Sequence, residues 1–211
     1  MMVCGVDDAG RGSMLGPLVI AGVCLRDDQV SRLRRMGVRD SKKHTPAARK
    51  RLSRMIRAVA DSYHVVHVPP RSIDASVRQH GLNRLEAKYM ARVISVLGPD
   101  SAIVDSCDTD TARFGRRISR MSGNCRVRSY HHADSRFVIV SAASILAKVA
   151  RDDAIGRLAK SNPGIGSGYP SDRRSVSFLR SYHKKNHAVP SYARKSWSPV
   201  RRLLGALGAQ Q

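Results

Sequence analysis

The sequence predicts an α/β domain built on a mixed sheet, with a helical C-terminal part. Three observations carry this. Two short apolar runs, 3–6 and 15–25, stand near the start with a glycine-rich connection between them, the pattern of an antiparallel strand pair. Strand-like and helix-like segments then alternate. Beyond the glycine-rich stretch 164–170 only helical patterns follow. No linker stands out, so 1–170 reads as one α/β domain and 171–211 as a helical region packed on it.

The elements follow in order. Leu52, Met55, Ile56 and Val59 recur at helical spacing among Arg49, Lys50, Arg51, Arg54 and Arg57, which predicts an amphipathic helix over 46–62. The run 63–68 predicts a third strand. Residues 83–97 predict a helix that opens on a capping box, Asn83 with Glu86. The apolar run 102–105 predicts a buried fourth strand with an acid at its end, and 125–130 a fifth. A long helix is predicted over 137–158, with Ile145, Val149 and Leu158 in its core face. Shorter helices are predicted over 173–184 and 198–207.

Composition narrows the function. Apolar residues make up 42%, enough for a core, while 38 Lys and Arg against 16 Asp and Glu give a net charge of +22. Such an excess favours a polyanionic partner, most simply nucleic acid. Four cysteines at 4, 24, 107 and 125 form no C-x-x-C pair, which gives no support to a zinc site. The apolar stretch 17–25 is too short to span a bilayer. A reducing, cytoplasmic location with the cysteines as small core residues is the expectation.

In so basic a chain the placement of the acids is informative. Glu86 is the one glutamate. Asp7 and Asp8 end the first strand, Asp105 ends the fourth in "AIVDS", and Asp134 precedes the long helix in "HHADSRF". Asp105 alone reads first as a turn or helix cap, and Asp134 alone as an N-cap of the long helix. Asp108 and Asp110 read as loop and cap residues, and Asp152 and Asp153 as a solvated helix face. The adjacent pair Asp7-Asp8 is harder to explain as capping. If strands one and four are neighbours, these carboxylates converge and repel unless cations neutralise them. Oxygen ligands without His or Cys suit Mg²⁺ or Mn²⁺.

The stretches "GVDDAGRGSMLGPLVIAGV", "VRDSKKHTPAAR", "GLNRLEAKYM", "AIVDS", "HHADSRFVIVSAASILAKVARDD", "GSGYPSD" and "RKSW", in this order and spacing, resemble the ribonuclease HII family, in its archaeal form. The resemblance spans roughly 3–197. It implies an RNase H-like fold, with a mixed five-stranded sheet flanked by helices and a C-terminal helical region. It implies a metal-dependent endonuclease for RNA in RNA/DNA hybrids and for single ribonucleotides embedded in duplex DNA, leaving 3′-hydroxyl and 5′-phosphate ends. By the same resemblance Asp7, Asp8, Asp105 and Asp134 are the catalytic metal ligands for Mg²⁺ or Mn²⁺. Gly10, Arg11 and Gly12 grip the ribonucleotide and its phosphates, and Tyr169 senses the 2′-hydroxyl. Lys42, Ser144 and Lys148 are phosphate-contact candidates; read without the resemblance, they are loop or surface residues. A monomer is the expectation. The tail "RRLLGALGAQQ" lacks the aromatic pair of a sliding-clamp peptide. One departure from the family matters: Asp8 stands where the family normally has glutamate, which predicts an altered metal preference. A non-catalytic nucleic-acid-binding protein on the same fold is the alternative that Asp8 leaves open.

Overall fold

A computed structural model describes residues 1–41 and 44–208. Among them, five strands form one sheet in the order β3-β2-β1-β4-β5. They are β1 (Met2–Ala9), β2 (Leu18–Arg26), β3 (Ser62–Val68), β4 (Ser101–Asp105) and β5 (Arg126–Tyr130). β1 runs antiparallel to β2 and parallel to β4, and β4 is parallel to β5. The sheet is therefore mixed, as the sequence predicted, and strands one and four are neighbours, which meets the condition for the acids at their ends to approach.

The helices are α1 (Val30–Arg35), α2 (Pro46–Val59), α3 (Pro70–Val77), α4 (Leu82–Leu97), α5 (Thr111–Met121), α6 (Ala133–Arg136), α7 (Val138–Ser161), α8 (Arg173–Asn186) and α9 (Ser198–Gly208). No helix of the described residues is long and apolar enough to cross a membrane. The chain divides into two compact units. The first holds 1–9, 19–66 and 83–150; the second holds 10–18, 67–82 and 151–211.

In the first unit, apolar residues of β2 (Val19, Ala21, Val23), α2 (Leu52, Ile56) and α7 (Val140, Ala143, Ala147) share one core. Helix α7 approaches β1 so closely that a Cβ on Gly5 would collide with the Ile139 backbone. This contact brings α7 within reach of the acids that follow Gly5. In the second unit, Met14, Leu15, Ile155, Ile165, Leu179 and Val200 form a separate core.

Several boundaries differ from the sequence reading. The second strand starts at Leu18 rather than at 15. Gly16 takes φ +82° and Pro17 lacks an N–H, so Met14 and Leu15 turn away and both donate to the Gly168 carbonyl. Helix α2 stops at Val59 because Ala60 is already extended. The capping box fails: α4 starts at Leu82, ahead of Asn83, and the Asn83 side chain bonds Asp108. Helices α1, α3, α5 and α6 went unread. Two of them carry local start signals, Pro70 in the first turn of α3 and Asp110 as the side-chain cap of α5.

Candidate active site

The carboxylates lie in the first unit. Asp7 and Asp8 sit within the last residues of β1, opposite Ala21 and Ile20. Successive strand residues point to opposite faces, and here Asp7 is buried while Asp8 is half-buried. Asp105 closes β4, the parallel neighbour of β1. Its Oδ1 accepts from the Ala133 N–H at 2.6 Å. That bond ties the end of β4 to the start of α6, which carries the buried Asp134.

Asp7 registers the company it keeps. Burial raises its pKa well above the ordinary carboxylate value, and the charges of Asp8 and Asp105 raise it further. Hydrogen bonds from Ser144 and from the Asp8 N–H, the latter 2.7 Å long, act in the opposite sense. Ser144 is itself buried on α7, and its hydroxyl lies 3.0 Å from that of Ser41. It therefore supports Asp7 from behind. Lys148 follows one turn later and is half-buried. Lys42 lies outside the described residues.

The donor set is all oxygen, which fits a hard divalent cation. Among the described residues no three His, Cys, Asp or Glu side chains are gathered into a coordination shell. Asp8 and Asp105 act on Asp7 through their charges, and Asp134 enters through α6, which the Ala133 N–H ties to Asp105.

The remaining predicted residues lie in the second unit. Gly10 has φ +90°, a conformation that favours glycine. Its carbonyl accepts from the Ser13 N–H and hydroxyl, closing the turn. Gly12 is exposed, with open space where a Cβ would sit. Tyr169 is half-buried beside Gly168.

Two buried arginines hold this region, and the sequence reading missed both. Arg194 donates to the Arg11 carbonyl at 2.7 Å and to the Gly16 carbonyl at 3.3 Å. Arg151 donates to the Ser167 carbonyl at 2.8 Å and lies over the Tyr169 ring. A Cβ on Gly10 would sit 2.6 Å from Arg151 Nε. One arginine thus touches both the Gly10 turn and the tyrosine loop. The signal was present, since "AKVARDD" and "RKSW" belong to the family pattern. Arginine in so basic a chain nevertheless reads as surface.

The comparisons agree with this architecture. The ribonuclease HII family model matches residues 4–200. A ribonuclease HII of Cenarchaeum symbiosum is 61% identical over 201 residues, covering 95% of this chain and 97% of that protein. The crystal structure of ribonuclease H2 from Pyrococcus horikoshii OT3 superposes with a TM-score of 0.92 at 38% identity, covering 99% of each chain. The ribonuclease HII of Archaeoglobus fulgidus, solved in complex with PCNA, gives 0.86 at 37% identity, covering 94% of this chain and 96% of that one. The chain belongs to the ribonuclease HII family, of archaeal type, and is a type 2 ribonuclease H endonuclease.

Proposed function

We propose that the enzyme hydrolyses RNA in RNA/DNA hybrids and cuts duplex DNA on the 5′ side of a single embedded ribonucleotide, leaving 3′-hydroxyl and 5′-phosphate ends. Asp7, Asp8, Asp105 and Asp134 hold divalent cations, Mg²⁺ or Mn²⁺. Bound there, the ions would activate water and stabilise the leaving 3′-oxygen. The observation that carries this reading is Asp7, a buried carboxylate set against two further acids on adjacent strand ends. Such an arrangement is costly without a cation and serves no packing purpose.

The chain's own residues do the rest. Ser144 and the Asp8 N–H orient the Asp7 carboxylate, and the Ala133 N–H orients Asp105. Gly12 leaves room for a backbone to approach, and Arg11 matches phosphate oxygens. Tyr169 and the Gly10-Arg11-Gly12 turn read the 2′-hydroxyl, the group that separates RNA from DNA. Lys42 and Lys148 contribute positive charge toward phosphates. His131 and His132 have no assigned role.

The test is cleavage of a DNA duplex carrying one ribonucleotide, with Mg²⁺ or Mn²⁺, beside Asp105→Asn and an all-DNA control. Cutting 5′ of the ribonucleotide by the wild type alone supports the reading. Binding without cutting in either metal overturns it.

A further inference from the structure

We propose that the cleft beside α5 and β5 is a second nucleic-acid backbone site, which holds a segment of duplex DNA other than the one being cut. The cleft has a volume of about 560 Å³ and is lined by Arg116, Arg120, Arg126 and Arg128, with Ser101 and Ser119. The arginines come from two elements. Arg116 and Arg120 are one helical turn apart on α5, and Arg126 and Arg128 alternate along the edge strand β5. Gly115 makes the convergence close: a Cβ there would lie 3.3 Å from the Ser129 Cβ.

Among the described residues no carboxylate pairs with any of the four. Their neighbour Arg113 is different, lying 2.8 Å from Asp108. All four cleft arginines are exposed. Their recorded bonds are a 3.4 Å contact from Arg120 to the Arg116 carbonyl and a 4.0 Å contact from Arg126 to the Met1 sulfur. Four guanidiniums with no counter-charge repel one another, and a phosphate fork is their natural complement. Two rows, each repeating at about 6–7 Å, suit a polymer of phosphates better than a single anion.

The cleft is not the cutting site. Ser101 lines it at one end of β4, and Asp105 closes the other end, about 13 Å away along an extended strand. Taken as a second segment, a duplex held at that end of the sheet tethers the enzyme to long DNA, and the short substrate below distinguishes it from an extension of the duplex being cut.

The experiment compares Arg116→Glu/Arg128→Glu with Arg32→Glu/Arg35→Glu, which removes the same charge from exposed positions on α1. Binding to a long all-DNA duplex is followed across a salt series, independently of cleavage and of the proposed function. The cleft variant should lose tenfold or more in affinity at 0.1 M salt, with the slope of log K against log salt reduced by about 2. The control should change less than threefold. Cleavage of a short ribonucleotide-containing duplex of about 16 base pairs should stay within twofold. An equal loss in both variants means net charge alone and overturns the proposal. Unchanged DNA binding overturns it in favour of another occupant, such as an acidic protein segment. A parallel loss on the short substrate overturns it by making the cleft part of the cutting footprint. If the reversal variant does not fold by circular dichroism, Arg116→Gln/Arg128→Gln reads the same slope.

Discussion

Arg151 and Tyr169 are stacked, with the guanidinium carbon 4.2 Å from the ring centroid. Arg151 is 1% exposed, and it also fills the space behind Gly10. A buried cation stacked on an aromatic ring is worth about 2 kcal/mol. Lysine keeps the charge but loses the planar fork. Arg151→Lys should therefore fold and release Tyr169 from its fixed position. The expected result is about a tenfold loss in kcat/KM on the single-ribonucleotide duplex, with a smaller loss on a continuous hybrid. Arg151→Ala should instead destabilise the protein by about 3 kcal/mol, measured by denaturant unfolding. Equal losses on both substrates for the lysine variant would mean that the stack has no role in reading the ribose.

The two glycines of the Gly10-Arg11-Gly12 turn should separate fold from recognition. At Gly10 a Cβ would lie 2.6 Å from Arg151 Nε and 3.1 Å from the Pro17 carbonyl, at φ +90°. Gly10→Ala should cost about 2 kcal/mol of stability. At Gly12 a Cβ meets nothing within 4 Å, so Gly12→Ala should unfold at the wild-type midpoint. If its cleavage rate still falls tenfold or more, the open space above Gly12 is where substrate lies. Full activity in Gly12→Ala would remove Gly12 from the binding surface.

Asp172 gives the second unit an acid dependence. Its Oδ2 accepts from the Ser167 N–H at 2.7 Å, and its Oδ1 caps α8 at the Arg174 N–H. These bonds lower its pKa from 3.8 to about 2. A carboxylate with a depressed native pKa adds stability above its unfolded pKa and loses it as pH falls through the native value. The contribution is therefore intact above about pH 4 and fades toward pH 2. Asp172→Asn should flatten the thermal midpoint between pH 5 and pH 2, as followed by circular dichroism. An unchanged pH profile would show that the cap does not titrate in this range.

Asp7 presents the opposite case. Burial, Asp8 and Asp105 all disfavour its charged form. Asparagine keeps the shape and drops the charge. Asp7→Asn should raise the metal-free thermal midpoint by a few degrees, a shift of about 1 kcal/mol, and should abolish cleavage. Adding Mg²⁺ or Mn²⁺ should stabilise the wild type by mass action and leave the variant unmoved. A variant that is both inactive and less stable than the wild type would mean that Asp7 has a structural role.

How far the sequence reveals this arrangement depends on whether a signal is local. The β1–β2 pair, the acids at the strand ends and α7 are written in short apolar runs and charge placement. The capping box at Asn83 misled because a local pattern lost to a tertiary partner, Asp108. Arg151 and Arg194 lie in stretches that carry the resemblance, but their roles could not be read for another reason. Burying a guanidinium needs carbonyls or an aromatic face gathered from elsewhere in the chain, here Ser167, Arg11, Gly16 and Tyr169. Composition can only suggest that such a residue is exposed. Ser144 belongs to the same group: it reads as a helix-surface hydroxyl until Gly5 lets α7 close on β1.

Asp8 is the position where the resemblance to the family would place a glutamate. It stands opposite Ile20 in β1, half-buried beside Asp7. Compared with glutamate it is one methylene shorter, about 1.5 Å less reach. Shorter reach favours a larger or more tolerant cation over one that demands strict octahedral geometry at short distance. The wild type should therefore show a higher rate with Mn²⁺ than with Mg²⁺. Asp8→Glu should keep or raise the Mg²⁺-supported rate and narrow the gap between the metals. Steady-state cleavage of the single-ribonucleotide duplex across both metals is the measurement. A loss of activity with both ions would show that neighbouring side chains have adjusted to aspartate and that glutamate no longer fits the site.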